Sequence, residues 1–414
     1  MENVERMEAL EFHRKACGKV QTFPTVNIRT DRQMAIAYIP GSTAACEEIR
    51  TDPARAYDYT GKANRVAEVS NGTAVLSMGD VGPSVSIPVL EGKCLMLKLM
   101  GDINAIPMAI DARNAEEVIS FCRMIAPTVG GINIEDICCP ESFLVVRKLA
   151  ETLDIPIFCD DQQGSAAVVL SAVKNSLRLI NIKIEEARIV VLGAGSAGIS
   201  AADLLVKSGA KDVVALNEDG ILGSSNPNMN QAQESLAGRI NPRGISGGLD
   251  AAIKDADILV GLSRGGIVSK EQIKMMNKNP IVLALALPEP EITSAEALEA
   301  GARIYASGRV EDSNTILNIH AFPGIIRGAL DVRARKVTDS MLIAASDALA
   351  NMVDKRHLST DHICPRFFGS ETTPRIAEAV GQAAIDDGVA ALSVEKGKIY
   401  NDTWERLFGD MEHI

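Results

Sequence analysis

A glycine-rich loop, Gly193-Ala-Gly-Ser-Ala-Gly198, constrains the fold of this 414-residue chain more than any other feature. An apolar run precedes the loop, an apolar helical pattern follows it, and a second short apolar run covers 212–216. This order is typical of a dinucleotide-binding unit, because the loop backbone can approach a pyrophosphate and the helix N-terminus favours its negative charge. We therefore predict a doubly wound, Rossmann-like α/β domain whose cofactor-binding loop contains Gly193, Gly195, Ser196, Ala197 and Gly198.

The end of the second apolar run bears on the choice of cofactor. Where a carboxylate usually holds the ribose hydroxyls, this chain has Asn217, followed by Glu218 and Asp219. Two carboxylates at this point would repel the 2′-phosphate of NADP. We predict that NAD is preferred over NADP and that Asn217 and Glu218 contribute to its binding.

Two pairs of adjacent carboxylates lie upstream of the glycine loop, each at the end of a short apolar run. Glu135 and Asp136 form the first pair, and Asp160 and Asp161 form the second. A helical pattern over 141–153 separates them, and strand–helix–strand alternation predicts parallel pairing. Both pairs should then lie at the carboxyl edge of one sheet, where ligands bind in such folds. This combination indicates metal-assisted chemistry next to a nicotinamide.

Two single residues have a functional and a structural interpretation. Lys93 lies between apolar runs, where desolvation would lower its pKa toward the range useful for a general base, although a lysine that extends to the surface is commoner. Tyr38 precedes a Pro-Gly turn, and a lone tyrosine at a strand end is more often a packing residue than a proton donor.

Three further patterns predict local structure. The run 34–41 indicates a strand that ends at the Pro-Gly turn. Residues 66–82 suggest a hairpin around Asn71-Gly72, because Asn-Gly favours the tight turn that joins two antiparallel strands. The alanine-rich segment 329–353 indicates a helix.

Composition excludes several classes of protein. The net charge is −12 and no stretch is rich in Lys or Arg, so we expect no nucleic-acid partner. The longest notable apolar run, 281–287, is too short to cross a bilayer, and residues 1–20 lack the core of a signal peptide. We therefore expect a cytoplasmic protein without a membrane partner. The eight cysteines are scattered without CxxC spacing, which argues against a zinc site or a disulfide framework.

The length of the chain allows two domains with separate cores. We predict that residues 1–160 form an N-terminal α/β domain that carries the metal-binding and catalytic residues. Residues 161–414 would form the NAD-binding domain, with C-terminal helices able to pack back on the first domain.

The motifs in their order resemble those of the malic enzymes, in particular the short bacterial type. The resemblance covers the chain from about residue 20 to 390. The motifs are Tyr38-Ile-Pro-Gly, Ser70-Asn-Gly-Thr-Ala-Val-Leu, Pro88-Val-Leu-Glu-Gly-Lys93, Gly130-Gly-Ile-Asn-Ile-Glu-Asp136, Asp160-Asp-Gln-Gln-Gly-Ser-Ala, Gly193-Ala-Gly-Ser-Ala-Gly198, Phe322-Pro-Gly and Arg327-Gly-Ala-Leu-Asp331.

The resemblance implies a malic-enzyme-type N-terminal domain and oxidative decarboxylation of L-malate, a dicarboxylic 2-hydroxy acid, to pyruvate and CO2. It also implies NAD(P), Mg²⁺ or Mn²⁺, and a homodimer or a dimer of dimers. By motif, Lys93 would be the base, Tyr38 the proton donor, and Asp160 a support for Lys93 and the metal. The implied metal ligands are Glu135, Asp136 and Asp161, an all-oxygen set that suits hard divalent ions.

Two positions depart from the family's pattern where substrate contacts are expected. Leu287 occupies a position that is usually asparagine, and Leu317 replaces the first of a usual asparagine pair, which leaves Asn318. Losing one amide donor to a carboxylate would cost roughly 1–3 kcal/mol. Three interpretations remain: an NAD-preferring malic enzyme; an enzyme that decarboxylates oxaloacetate or oxidises a substituted malate; and a binding protein that has lost turnover.

Overall fold

The structure is a computed structural model that describes residues 3–75, 78–367 and 369–409. Residues 5–61, here called the N-terminal arm, contain no buried residue and so have no core of their own. The helices of this part of the chain are α1 (Asn3–Ala16), α2 (Asp31–Ala37), α3 (Gly41–Thr51) and α4 (Ala56–Tyr59).

The first sheet has four parallel strands in the order β2-β1-β3-β4. Helices α5 to α7 connect these strands, which explains the parallel pairing because a crossover is needed to return to the same edge. The elements are β1 (Arg65–Ser70), α5 (Pro83–Gly101), β2 (Asn104–Ala109), α6 (Ala115–Ile125), β3 (Gly131–Ile134), α7 (Glu141–Thr152) and β4 (Ile157–Cys159).

Helix α8 (Ser165–Ile180) leads into a second sheet with the order β10-β9-β8-β5-β6-β7. Its strands are parallel except β7, which pairs antiparallel with β6. The sequence therefore predicted the doubly wound α/β class correctly. The elements are β5 (Arg188–Leu192), α9 (Ser196–Lys207), β6 (Asp212–Asn217), β7 (Gly220–Ile221), α10 (Gln231–Ala237), α11 (Leu249–Ile253), β8 (Ile258–Gly261), α12 (Lys270–Lys274), β9 (Ile281–Ala284), α13 (Ser294–Glu299) and β10 (Ile304–Ser307).

Helices α14 to α17 follow the second sheet, and α14 and α17 pack against α5 of the first sheet. One buried apolar cluster accordingly contains Leu97 of α5, Phe158 of β4, Val173 of α8 and Phe322 of α14. The two sheets thus share part of their core, while the domain boundary near residue 160 stays a prediction. The helices are α14 (Phe322–Asp331), α15 (Asp339–Asn351), α16 (Thr372–Asp386) and α17 (Lys398–Phe408).

The strand predicted over 34–41 is wrong, because residues 34–37 belong to α2 and Gly41 begins α3. Thr30 accepts a hydrogen bond from the backbone N–H of Gln33, and the Gln33 side chain accepts one from the N–H of Thr30. This reciprocal capping box starts a helix and outweighs the local apolar run. The single helix indicated over 329–353 is also wrong, since α14 ends at Asp331 and α15 begins at Asp339.

The hairpin predicted over 66–82 is wrong as well. Strand β1 has β2 on one side and β3 on the other, both parallel, so it offers no edge to a hairpin partner. Gly72 has a φ of 73°, and its carbonyl oxygen accepts hydrogen bonds from Val81 and Gly82, which closes a loop instead. Residues 76–77 of this segment lie outside the described residues.

In the described ranges, no helix combines the length and the apolar character that a membrane span requires. The cytoplasmic location stays a prediction.

Candidate active site

The carboxyl ends of β3 and β4 bring the two predicted acidic pairs together. The strands are in register, with Ile134 opposite Cys159, so the residues that follow them emerge side by side. The backbone N–H of Asp136 donates to Oδ2 of Asp161 over 2.8 Å, which joins the second residue of one pair to the second residue of the other. The sequence predicted this meeting from strand–helix alternation alone.

Lys93 extends from α5 into the space between the two acidic pairs. Its Nζ is 3.0 Å from Oε1 of Glu135 and also forms an ion pair with Oδ2 of Asp160. The Phe322 ring lies 5.1 Å from the same Nζ, measured to the ring centre. Glu135 and Asp160 are almost wholly buried, so the network is held in a low-dielectric environment.

The pKa of Lys93 differs from the sequence-based expectation. Burial alone would lower this pKa, but the carboxylates of Asp160, Glu135 and Asp161 together outweigh it and raise the pKa well above its ordinary value. The charges of these carboxylates therefore favour the ammonium form of Lys93. The expectation of a lowered pKa was wrong because it considered the apolar neighbours along the chain and not the carboxylates that the fold places around the amine.

Glu135, Asp136 and Asp161 form a cluster that could hold a metal ion. One carboxylate oxygen from each lies within 4.8 Å of the others. Burial, together with the neighbouring carboxylates, raises the pKa of Glu135 well above its ordinary range and also raises the pKa of Asp161. Such mutual repulsion is what a divalent cation would relieve, and oxygen-only donors suit Mg²⁺ or Mn²⁺. The residues therefore fit the predicted metal site.

Asp160 is held from the side of the second domain. Nδ2 of Asn318 donates to Oδ2 of Asp160 over 3.2 Å, and Oδ1 of Asn318 accepts from the Ser165 hydroxyl over 3.2 Å. A Cβ at Gly164 would lie 1.8 Å from Oδ1 of Asp160, so only glycine fits beside this carboxylate. Asn318 was predicted from the sequence as a site residue, whereas Gly164 and Ser165 were not, although both lie in the same motif as Asp160.

Glu68 and Asn133 are two buried polar residues beside the acidic pairs that were not predicted from the sequence. Nδ2 of Asn133 donates to Glu68 over 2.7 Å and to Glu135 over 3.0 Å. A carboxylate in the middle of an apolar strand, as Glu68 is in β1, is a signal that could have identified this pair.

The structure does not bring Tyr38 to the carboxylates of its own chain. Its side chain extends from the N-terminal arm, the residue is 64% exposed, and its hydroxyl makes no hydrogen bond to any described residue. Leu287 is 47% exposed at the end of the segment that follows β9. Leu317 is partly buried and directly precedes Asn318.

The three glycines of the predicted loop have distinct roles. Gly193 has a φ of 107°, and a Cβ there would lie 2.4 Å from the carbonyl oxygen of Leu262. At Gly198 a Cβ would lie 1.7 Å from the carbonyl oxygen of Gly193, so α9 can approach β5 only with glycine at this position. A Cβ on Gly195 would meet nothing within 4 Å. The open side of Gly195 is therefore where a pyrophosphate can approach the backbone.

Helix α7, which connects β3 and β4 of the first sheet, contacts the glycine loop directly. Helix α9 begins at Ser196, followed by Ala197, which places both at the helix N-terminus that favours negative charge. The hydroxyl of Ser196 is 3.2 Å from that of Ser142 in α7. A cofactor bound at this loop would consequently lie close to the elements that carry the acidic pairs.

Asn217, at the end of β6, is tied to the glycine loop through other side chains. Its Oδ1 accepts from Nδ2 of Asn226 over 2.7 Å, and its Nδ2 donates to Gln233 over 3.4 Å. Gln233 in turn donates to the carbonyl oxygen of Ala194 over 2.9 Å. Glu218 is exposed next to Asn217. The carboxylate that bears on the choice of cofactor is thus accessible from solvent.

A parallel sheet with a lysine–carboxylate cluster, joined to a second sheet with this type of glycine loop, defines a two-domain α/β protein of the dinucleotide-binding class. The family descriptions "Malic enzyme, N-terminal domain" and "Malic enzyme, NAD binding domain" match residues 17–150 and 162–385. The chain belongs to the malic enzyme family.

Individual relatives agree with this assignment. The bifunctional malic/malolactic enzyme of Bacillus subtilis is 38% identical over 96% of this chain and 97% of that enzyme. The NAD-dependent malic enzyme of Geobacillus stearothermophilus is 39% identical over 90% of this chain and 78% of its own length. The crystal structure of the malic enzyme from Pyrococcus horikoshii superimposes with a TM-score of 0.94 at 40% identity, covering 98% of this chain and 96% of the other.

Proposed function

We propose that this chain catalyses the oxidative decarboxylation of L-malate to pyruvate and CO2 with reduction of NAD. The observation that supports this most is the contact of Lys93 with both Glu135 and Asp160, because it places an amine that can exchange a proton at a carboxylate cluster. The names of the two bacterial relatives agree with an enzyme that acts on malate, and that of the Geobacillus relative agrees with NAD.

We propose that Glu135, Asp136 and Asp161 hold Mg²⁺ or Mn²⁺. Their ligand oxygens lie within 4.8 Å of one another, and the remaining carboxylate of the two acidic pairs, Asp160, is engaged with Lys93 and Asn318. When bound, the cation would polarise the substrate hydroxyl and its neighbouring carboxylate.

The roles of Lys93, Asp160 and Asn318 follow from the positions of their side chains, and that of Tyr38 follows from the family motif in which it lies. Lys93 accepts the proton of the substrate hydroxyl while hydride passes to the nicotinamide from the carbon that bears this hydroxyl, so the alcohol is oxidised and NAD is reduced. Asp160 orients Lys93, and Asn318 holds Asp160 in place. Because the carboxylates keep Lys93 as an ammonium, a proton has to leave its Nζ before it can act as a base. Loss of CO2 leaves the enolate of pyruvate, and Tyr38 donates the proton that this enolate takes up on carbon to become pyruvate.

We propose NAD rather than NADP as the cofactor, bound at Gly193, Gly195, Ser196, Ala197 and Gly198 with Asn217 and Glu218 at the ribose. The open backbone at Gly195 and the exposed carboxylate of Glu218 support this choice. A 2′-phosphate would meet the Glu218 charge, whereas a free hydroxyl can donate to it.

We further propose that the chain is a homodimer in which the N-terminal arm packs on a second copy. Large apolar side chains along the arm, among them Phe12, Phe23, Ile36 and Tyr38, are each more than half exposed, and an arm without a core gains stability only by burying them elsewhere. Tyr38 would then reach the site of the partner.

A complementation experiment tests this arrangement. Tyr38→Phe and Lys93→Met are each expected to be inactive, and mixed dimers regain one complete site only if Tyr38 acts across the interface. Equal mixing after subunit exchange should restore about a quarter of the wild-type rate. If the mixture stays inactive although exchange is verified, Tyr38 does not act in the partner's site.

The function itself is tested by assaying the purified chain with malate, NAD and Mn²⁺. We expect NADH and pyruvate to form in equal amounts and EDTA to abolish both. Asp161→Asn should weaken Mn²⁺ binding, whereas Asp154→Asn, which changes an exposed carboxylate before β4, serves as the control. Pyruvate from oxaloacetate without a cofactor, with none from malate, would contradict the proposal.

A second candidate function rests on Leu287 and Leu317. Leu287 is 47% exposed although it is apolar, and Leu317 adjoins Asn318, which contacts Asp160. These side chains favour a malate-like 2-hydroxy acid that carries an apolar substituent. Comparing kcat/KM for malate with that for a 3-alkyl malate distinguishes the two candidate functions. A higher value for the alkylated acid would favour the substituted malate as the substrate.

A further inference from the structure

Glu68 and Asn133 form a buried polar pair in the middle of the first sheet. They occupy paired positions on the neighbouring strands β1 and β3, and both are 0% exposed. Burying a carboxylate and a carboxamide costs free energy unless hydrogen bonds compensate it. Their retention in an otherwise apolar part of the sheet therefore suggests a specific task.

The carboxamide of Asn133 has a partner on each of its sides. Its Nδ2 donates to Oε2 of Glu68 over 2.7 Å and to Oε2 of Glu135 over 3.0 Å. Its Oδ1 accepts from the backbone N–H of Asp160 over 3.1 Å. Because a backbone N–H can only donate, Oδ1 has to face Asp160, and Nδ2 consequently faces the two carboxylates.

These contacts link Asn133 to both residues that hold Lys93. Glu135 divides its oxygens, with Oε1 toward Lys93 at 3.0 Å and Oε2 toward Asn133. Asp160 also contacts both residues: its Oδ2 contacts Lys93, and its backbone N–H donates to Asn133. The carboxamide of Asn133 thus fixes the rotation of the Glu135 carboxylate and the position of the Asp160 backbone.

We propose that Asn133 is a positioning residue that holds Glu135 and Asp160 around Lys93, and that Glu68 anchors the Asn133 carboxamide. This inference rests on the proposed function, because Glu135 is there a ligand of the divalent cation. Without the Nδ2 donor, the Glu135 carboxylate can rotate and its oxygens no longer converge with those of Asp136 and Asp161. Loss of such an outer contact typically costs 10- to 100-fold in metal affinity or activity.

The test uses Asn133→Asp, which keeps the shape of the side chain but replaces the donor by a third carboxylate between Glu68 and Glu135. We expect the affinity for Mn²⁺ alone, measured by calorimetry without substrate, to fall about 10- to 100-fold. The kcat for malate at saturating Mn²⁺ should fall as well. Asn175→Asp is the matched control, because Asn175 is also 0% exposed and donates two hydrogen bonds, to Ala350 and Ile363.

The double variant Glu68→Gln/Asn133→Asp separates positioning from mere stabilisation. Its amide at position 68 can donate to the carboxylate at position 133, which restores the link between β1 and β3 but provides no donor to Glu135. Relative to Asn133→Asp, we expect the midpoint of thermal unfolding to rise back toward that of the wild type. The Mn²⁺ affinity and the kcat should stay as low as in Asn133→Asp. Recovery of all three, or unchanged Mn²⁺ affinity in Asn133→Asp, would overturn the inference.

The single variant Glu68→Gln completes the design, since its amide oxygen can still accept from Nδ2 of Asn133. It should bind Mn²⁺ within about twofold of the wild type, whereas Glu68→Leu, which has no acceptor, should bind more weakly, because a lost hydrogen bond leaves the carboxamide free to reorient. Equal Mn²⁺ affinities in these two variants would overturn the role of Glu68 as an anchor. If the wild type shows no turnover of malate yet binds Mn²⁺, the proposed function fails while the positioning role remains testable by Mn²⁺ affinity.

Discussion

The ammonium of Lys93 lies 3.0 Å from a carboxylate oxygen of Glu135, so the proposed base touches a proposed metal ligand. Proton transfer by Lys93 and metal binding by Glu135 are therefore electrostatically connected. The charge of Glu135 contributes to the raised pKa of Lys93, after that of Asp160. Whatever binds to Glu135 will change the proton affinity of Lys93.

The first prediction concerns this lysine. We expect Lys93→Met to lower kcat for malate by a factor of roughly 100 to 10,000, the usual contribution of a positioned general base. Steady-state formation of NADH at saturating malate and Mn²⁺ measures the effect. Lys98→Met is the control, because Lys98 lies in the same helix, is 42% exposed and pairs with Asp102. A kcat within tenfold of the wild type would exclude Lys93 as the base.

The second prediction concerns the pH dependence of stability. Burial raises the pKa of the Glu68 carboxyl to about 7 from an ordinary value of 4.5, against the opposing hydrogen bond from Asn133. The folded state thus holds a proton that the unfolded state releases above pH 4.5. The corresponding stabilisation is complete below pH 4.5 and is lost as the pH rises through 7.

Glu68→Gln is neutral at every pH and should remove this dependence. Relative to the wild type, the free energy of unfolding of the variant should increase between pH 4.5 and 7, by about 3 kcal/mol in total. Urea unfolding at several pH values with EDTA present measures the difference without a contribution from metal. A difference that stays constant across this window would show that Glu68 does not titrate there.

The third prediction concerns substrate affinity at Leu287. If a lost amide donor weakens malate binding, Leu287→Asn should lower the KM for malate about tenfold, since a hydrogen bond to a charged group contributes on the order of 1.5–3 kcal/mol. Leu298→Asn, which changes another apolar residue at 51% exposure, is the control. An unchanged KM would mean that residue 287 does not contact the substrate carboxylate.

The fourth prediction concerns the cofactor. Glu218→Ser removes an exposed carboxylate beside the proposed ribose site, so the ratio of kcat/KM for NADP to that for NAD should increase about tenfold. Glu234→Ser, at an exposed position in α10, controls for a general loss of negative charge. Asn217 is left in place because it is linked through Gln233 to the glycine loop. A ratio that does not change would place the 2′-phosphate elsewhere.

Sequence patterns were most informative where local order and topology agree. The run from β5 through the glycine loop to β6 appears in the structure as predicted. The apolar pattern of each element is visible in its own residues, and the glycines allow backbone segments of the same unit to approach closely. The meeting of Glu135 with Asp161 was also predictable, because parallel strands place their carboxyl ends at one edge.

Two of the failures share a different cause. The hairpin predicted after β1 was wrong because both edges of β1 are used by strands from later in the chain. The pKa of Lys93 was wrong in sign because Glu135 and Asp160, 42 and 67 residues further along, surround its amine. Neither fact is a property of the local sequence.

The sequence by itself determined the family, the α/β class, the glycine loop and the acidic pairs, because these depend on spacing and on residue type along the chain. Only the tertiary structure decided which groups touch. It placed Asn133 between Glu68 and Glu135, surrounded Lys93 with carboxylates, and left Tyr38 exposed on the N-terminal arm. Hydrogen bonds and charge interactions fall off within a few ångströms, so their partners are set by how the strands and helices pack and not by their order.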